Sequence, residues 1–259
     1  MMSTDMLRVN QLTISRQGNT LLDNVSCEID SNQLVALVGH NGSGKSTLIK
    51  ALAGEMMSSG GSISLDERRI SDYSSKALAR QMAYLPQQLP EAAGFSVREL
   101  VMLGRYPHQK WLQKPNQMDK DKVIEAMRIT QTEAFADRIT ATLSGGERAR
   151  VWLAMCLAQD TRYLLLDEPL AALDMHYQLE VIQLIRRLVD EQGLSVVIIL
   201  HDINLAAQYA DRVIALKNGR ICHNGDIGST MQPTVLHKIF NVDMQLLSHP
   251  ITGQPVAVA

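Results

Sequence analysis

The chain has 259 residues, of which 46% are hydrophobic and 20% charged, and its formal net charge is −2. That length suits one large domain, or one domain carrying a subdomain, and the composition is that of an ordinary globular protein. The near-neutral balance argues against a dedicated nucleic-acid binder, which would show a basic excess. Cys27, Cys156 and Cys222 are scattered and odd in number, so they read as reduced thiols and not as a disulfide framework. No apolar run reaches the roughly 18 residues that would span a bilayer. The start, Met1-Met2-Ser3-Thr4-Asp5, lacks the basic and apolar regions of a signal peptide. A membrane role would therefore need other chains to supply the spanning part.

In chain order, Leu7–Ile14 alternates as a strand, Gln17-Gly18-Asn19-Thr20 reads as a turn, and Val25–Ile29 alternates again. Leu34–Val38 is a continuous apolar run, the pattern of a parallel strand buried on both faces. It leads into Gly39, and a helix is predicted over Lys45–Ala53. Residues from about Gln88 to Asp160 change character. Helices are predicted over Val97–Leu103, Asp119–Ile129 and Gly145–Ala158, with Pro86, Pro90, Pro107 and Pro115 as punctuation. The α/β alternation then resumes. Tyr163–Leu166 is a strand, Leu173–Asp190 a helix, Ser195–Leu200 a strand and Ile203–Ala210 a helix. Val213–Lys217 and Arg220–His223 flank Asn218-Gly219, a strong hairpin signal. The tail from Gly225 shows a mixed pattern. The expected fold class is α/β, mainly a parallel sheet flanked by helices. An antiparallel β subdomain sits at the N-terminus. About 1–87 and 161–259 would form the core of a single domain spanning 1–259, with about 88–160 as an inserted helical subdomain.

Three segments carry chemistry. Gly39-His40-Asn41-Gly42-Ser43-Gly44-Lys45-Ser46 fits the phosphate-loop pattern G-x-x-x-x-G-K-[ST]. Its glycines free backbone N–H groups to cradle phosphate oxygens, and the following helix start presents its positive end to the same anion. Lys45 adds a cation for the β- and γ-phosphates, Ser46 a hydroxyl for Mg²⁺, and Thr47 continues the helix start at the nucleotide. The strand Tyr163–Leu166 ends in Asp167-Glu168, and a carboxylate at the C-terminal edge of a parallel strand faces the nucleotide crevice. Asp167 is the candidate Mg²⁺ ligand and Glu168 the group that polarises the attacking water. Leu143-Ser144-Gly145-Gly146-Glu147 contains a capping box, Ser144 with Glu147, that opens a helix. Its two glycines make a second place where backbone can approach phosphate.

The order of phosphate loop, L-S-G-G-E, D-E, and then a His after an apolar strand resembles the ABC transporter ATPase family over essentially the whole chain. The resemblance implies a P-loop NTPase core that binds ATP with Mg²⁺ and hydrolyses it. Gln87, in Tyr84-Leu85-Pro86-Gln87, matches the Q-loop glutamine, which contacts Mg²⁺ and the attacking water. His201, in Ile199-Leu200-His201-Asp202, matches the switch histidine at the γ-phosphate. Asp174 matches the D-loop aspartate at the junction of two subunits. Two positions depart from the family pattern. Arg16 stands where an aromatic residue commonly stacks on adenine; a guanidinium can also stack on a base. Ala172 replaces a common D-loop serine. The family further implies a homodimer that encloses two ATP molecules, with Ser144-Gly145-Gly146 of one copy against the phosphate held by Lys45 of the other.

Such a subunit would work at the cytoplasmic face of the bacterial inner membrane, as a peripheral protein. Its partners would be a transmembrane permease and, through it, a periplasmic or surface substrate-binding protein, with no nucleic acid involved. Arg80–Pro90, Val97–Val101 and Gly104-Arg105-Tyr106-Pro107 resemble importers of iron-siderophores, haem and vitamin B12. Ferric hydroxamate siderophore is the favoured cargo, and haem or vitamin B12 the alternative. Gly104–Trp111 is either a simple loop of the helical subdomain or a surface near the permease contact. A soluble ABC ATPase of DNA repair or translation is a rival reading. Such proteins commonly fuse two ATPase domains or insert long coiled coils, and this chain does neither. The ATPase of an exporter or an amino-acid importer is another, which Gly104-Arg105-Tyr106-Pro107 disfavours.

Overall fold

The computed structural model describes residues 6–92, 94–110, 113–171 and 173–259. Ala172 and Trp111, both singled out in the sequence, lie outside the described residues. The central sheet has six strands in the order β10-β9-β3-β8-β7-β6. These are β3 (Leu34–Val38), β6 (Met82–Leu85), β7 (Tyr163–Leu166), β8 (Ser195–Ile199), β9 (Arg212–Lys217) and β10 (Arg220–Asp226). The pairs β3/β8, β3/β9, β6/β7 and β7/β8 are parallel, and the hairpin strand β10 runs antiparallel to β9.

The continuous apolar strands follow from burial on both faces. In β3, Leu34, Ala36 and Val38 belong to one core cluster and Val35 and Leu37 to another. The first cluster takes in helices α5 (Gly145–Ala158), α6 (Met175–Gln192) and α7 (Ile203–Tyr209). The second takes in α1 (Lys45–Leu52) and a four-stranded antiparallel sheet ordered β2-β1-β4-β5. That sheet is built from β1 (Met6–Arg16), β2 (Asn19–Asp30), β4 (Gly60–Leu65) and β5 (Arg68–Arg69). The α/β class and the N-terminal antiparallel sheet agree with the expectation from sequence.

The stretch between β6 and β7 is helical. It contains α3 (Val97–Leu103), α4 (Gln117–Ile129) and α5. Each begins with a completed capping box, Ser96/Glu99, Asn116/Asp119 and Ser144/Glu147. Each box satisfies two otherwise unpaired N–H groups at a helix start. Gly104 ends α3 so close to α5 that a Cβ there would stand 2.2 Å from the Met155 carbonyl oxygen. The next residue, Arg105, is 3% exposed. Its Nε donates to Asp119 Oδ1 at 3.0 Å and its Nη1 to the Ala158 carbonyl at 2.7 Å. Gly104-Arg105 is therefore an internal tie between the three helices.

Several elements extend or correct the sequence reading. Helix α2 (Ser75–Leu78), β4, β5 and β6 lie in a stretch for which no element is predicted. Helix α6 starts at Met175 instead of Leu173, because Asp174 is its cap and accepts from the Tyr177 N–H at 3.1 Å. The tail resolves into α8 (Ile227–Thr230), α9 (Pro233–Phe240) and the hairpin of β11 (Gln245–Ser248) with β12 (Pro255–Val258). Among the described residues, no helix is long and apolar enough to cross a membrane.

Candidate active site

Strand β3 delivers the chain into the loop Gly39–Gly44, and three glycines take up backbone that other residues resist. Gly39, Gly42 and Gly44 have φ of 136°, 76° and 105°. A Cβ on Gly39 would lie 2.2 Å from the Leu216 carbonyl oxygen, so alanine does not fit there. Helix α1 opens directly after Gly44 with no side-chain cap, which leaves its first N–H groups facing the loop. The Lys45 ammonium folds back into the loop and donates to the carbonyls of Gly39 at 2.8 Å and His40 at 2.9 Å. Burial pulls its pKa down, against the opposing pull of the Glu168 and Asp167 charges.

The acids at the end of β7 meet this loop. Asp167 is 1% exposed, and burial pushes its pKa up against the hydrogen bond from Ser46. Ser46 Oγ donates to Asp167 Oδ1 at 2.9 Å, and the Tyr84 hydroxyl donates to Asp167 Oδ2 at 3.3 Å. Burial, then the Asp167 charge, raises the Tyr84 pKa, so the phenol keeps its proton. The Ser46 hydroxyl and the Asp167 carboxylate are oxygen donors of the kind a hard cation such as Mg²⁺ takes, and Gln87 lines the same cavity as Ser46. Among the described residues no cluster of three or more His, Cys, Asp or Glu has metal-binding geometry.

Glu168 sits in the left-handed region, φ 53°, which is strained for a side chain of this size. Both its oxygens are held. Gln87 Nε2 donates to Oε2 at 2.6 Å, and His201 Nε2 lies 2.9 Å from Oε1. The glutamine comes from the loop after β6, the glutamate from the end of β7 and the histidine from the end of β8. Three adjacent parallel strands thus converge on one carboxylate.

A cavity of about 570 Å³ spans these groups. Asn41, Gly42, Gly44, Lys45, Ser46, Thr47, Gln87, Glu168 and His201 line it, together with Thr20, Leu21, Asn218 and Gly219. Gly39, His40 and Ser43 build the loop without lining the cavity, and the His40 ring packs edge-on against Phe240. On the β1–β2 side the lining comes from Thr20 and Leu21 instead of Arg16, which is exposed at the end of β1. Ser144, Gly145, Gly146 and Asp174 do not line it either. Ser144 and Asp174 cap α5 and α6, and Gly145-Gly146 open α5, elsewhere on the chain; there the Glu147 carboxyl is held below its usual range by the Ser144 N–H.

Sequence reasoning missed Tyr84, Thr20, Leu21, Asn218 and Gly219 as site residues. The Asn218-Gly219 signal is legible only as a hairpin turn. In three dimensions that turn is pinned to the phosphate loop, since the Gly219 N–H donates to the Ser43 carbonyl at 3.0 Å. Its carbonyl in turn accepts from the Asp23 N–H at 2.9 Å.

Residues 22–171 match the family described as ABC transporter. The chain is 42% identical over 248 residues to a hemin import ATP-binding protein of Rhodococcus jostii, covering 95% of this chain and 84% of that protein. It is 38% identical over 252 residues to an iron(3+)-hydroxamate import ATP-binding protein of Bacillus subtilis, covering 97% and 94%. Among solved structures, one described as a metal-chelate type ABC transporter in an inward-facing conformation superposes with a TM-score of 0.85. It covers 99% of this chain and 98% of that one at 24% identity, a likeness of fold.

Proposed function

The chain belongs to the ABC transporter family, and from that premise we propose that it is the ATP-hydrolysing subunit of an iron-chelate importer, with ferric hydroxamate siderophore as its cargo. The observation that carries the ATPase reading is the grip of Gln87 and His201 on Glu168, at 2.6 and 2.9 Å, within one cavity with Lys45 and Ser46. Gly42, Gly44 and the start of α1 offer N–H groups to the β- and γ-phosphates, and Lys45 offers its charge. Ser46, Asp167 and Gln87 are the residues that would hold Mg²⁺; when bound it neutralises charge on the phosphates. Glu168 accepts a proton from water as the water oxygen bonds to the γ-phosphorus. The bond to the β,γ-bridging oxygen breaks, and its electron pair leaves on ADP. Gln87 and His201 fix the carboxylate during that transfer. Arg16, at the end of β1, is the candidate for stacking on adenine.

Ser144, Gly145, Gly146 and Asp174 lie away from the chain's own cavity, as expected of groups that serve the nucleotide of a second copy. We therefore assign the functional unit as a homodimer with two shared ATP sites, docked on transmembrane permease subunits at the cytoplasmic face of the membrane. Residues about 88–160 act in it as a helical subdomain, and about 1–87 with 161–259 as the core. A substrate-binding protein would deliver the chelate to the permease.

Haem is the second reading for the cargo, because the hemin-import relative is 42% identical against 38% for the hydroxamate-import relative. Uptake of radiolabelled iron by the host lacking this gene separates the two. Supplied as ferric hydroxamate, ferric catecholate or haem, iron uptake fails for the hydroxamate alone and returns with the wild-type gene. Failure for haem alone reassigns the cargo, and unchanged uptake of all three contradicts the iron assignment.

A further inference from the structure

The residues on which the second copy's nucleotide would depend lie on two helices, and a side-chain strut joins those helices. Gly146, in the first turn of α5, faces the ring of Tyr177, in the first turn of α6. A Cβ on Gly146 would stand 3.3 Å from Tyr177 Cδ2 and Cγ. One turn further along α5, the Arg150 guanidinium lies over the same ring, 5.6 Å from its centroid. Its Nη1 is 3.9 Å from Glu180 Oε2, one turn along α6 from Tyr177. The residues Gly146 and Arg150 share one face of α5, and Tyr177 and Glu180 one face of α6, as spacings of four and three dictate.

The strut reaches both groups of interest. Tyr177 is tied to the D-loop, because its N–H donates to Asp174 Oδ1 at 3.1 Å. Gln178 Nε2, next along, donates to the carbonyls of Leu170 at 3.1 Å and Leu173 at 3.0 Å. Gly146 is itself one of the two glycines of Leu143-Ser144-Gly145-Gly146-Glu147. The contact is also incompletely satisfied. Arg150 Nε and Glu180 Oε2 are buried without a hydrogen-bond partner, and both residues line a cavity of about 180 Å³ that α6 and the end of α4 enclose. Buried polar groups are normally paired, so the 3.9 Å separation leaves this contact looser than a direct hydrogen bond.

We propose that Tyr177 and Arg150 are positioning residues that lock Ser144-Gly145-Gly146 and Asp174 into one unit, and so set the angle at which one copy meets the nucleotide of the other. The proposal rests on the composite-site reading above. Neither side chain lines the chain's own nucleotide cavity, so the strut acts on pairing and turnover and leaves nucleotide capture alone.

The test uses the full-length chain with Glu168→Gln as background. ATP-dependent association of that variant is measured by analytical ultracentrifugation, and affinity for a fluorescent ATP analogue is measured at concentrations below association. Adding Tyr177→Ala weakens association about tenfold, the scale of losing one packed aromatic contact, with the analogue affinity of the single chain unchanged. Tyr177→Phe, which keeps the ring, restores association. Arg150→Gln gives a loss in the same direction in a variant whose ring packing is intact. Association unchanged in both Tyr177→Ala and Arg150→Gln overturns the strut, as does a Tyr177→Phe variant no better than alanine. If Glu168→Gln alone fails to associate with ATP, the composite-site reading itself falls, which is a separate result.

Discussion

The Glu168→Gln variant hydrolyses ATP about 10²–10⁴-fold more slowly than the wild type while binding it with the same affinity, the cost of removing a general base. Glutamine has nearly the shape of glutamate, so the left-handed backbone at this position, φ 53°, and the packing at the end of β7 are retained. An amide can still bond His201 and Gln87, because both partner side chains carry a donor and an acceptor after a ring or amide flip. What is lost is the capacity to take a proton from water. Lys45, proposed for the phosphates, and Ser46, proposed for Mg²⁺, are untouched, so affinity for a nucleotide analogue holds. Single-turnover hydrolysis with equilibrium binding on the same samples separates the two effects. A rate within a few fold of wild type would move the base to another residue.

Replacing Asp119 by alanine costs about 3–5 kcal/mol of stability, since it leaves the Arg105 guanidinium buried without its counter-charge. The side chains of this pair are 3% and 5% exposed. Asp119 also closes the box that caps α4, where its Oδ2 accepts from the Asn116 N–H at 3.0 Å. For a chain of this size the midpoint of thermal unfolding falls by roughly 6–20 °C. The exposed pair Arg8–Glu28, at 2.8 Å, is the internal control, because breaking an ion pair in solvent costs about 0–1 kcal/mol. Equal shifts for Asp119→Ala and Arg8→Ala would contradict the reading of Gly104-Arg105 as an internal tie. The tie also bears on function. Arg105 holds the C-terminal end of α5 through Ala158, and the other end of α5 carries Gly145 and Gly146.

The elements that were legible in the sequence are those whose own residues dictate them. Helix α5 has the predicted bounds because a capping box opens it and an apolar face carries it into the core. Strands β3 and β7 also have the predicted bounds, since a short run of apolar β-formers between polar residues has one comfortable place, inside a parallel sheet. The unread elements depend on partners far away in sequence. Strand β4 begins Gly60-Gly61-Ser62 and is held by pairing with β1, for example Leu7 opposite Leu65. Strand β6 is four residues long and gains its place only beside β7. Helix α9 packs on β9 and β10; its local marks are Pro233 at its start and Asn241 as a left-handed cap at its end, in a tail with no other clear pattern.

The same distinction holds within the site. The phosphate loop, Asp167 and Glu168 are recognisable because a contiguous motif carries their chemistry. Gln87 and His201 have no such local signature; only the resemblance to a family marks them, and the structure brings both to the Glu168 carboxylate. Tyr84 was invisible as a site residue because its role arises from strand order. Strand β6 lies beside β7, so Tyr84 pairs with Leu165 and its hydroxyl reaches Asp167. The family resemblance points to Arg16 for adenine, whereas the cavity wall on that side is formed by Thr20 and Leu21.

On the proposed arrangement each ATP site needs two copies of this chain. Steady-state ATP hydrolysis by the purified protein is followed as a function of its concentration at saturating Mg-ATP. Turnover per chain should rise with protein concentration and level off once the chains are paired. Turnover per chain that stays constant down to concentrations at which sedimentation shows only single chains would mean that one copy holds a complete site, and the shared-site account would be wrong.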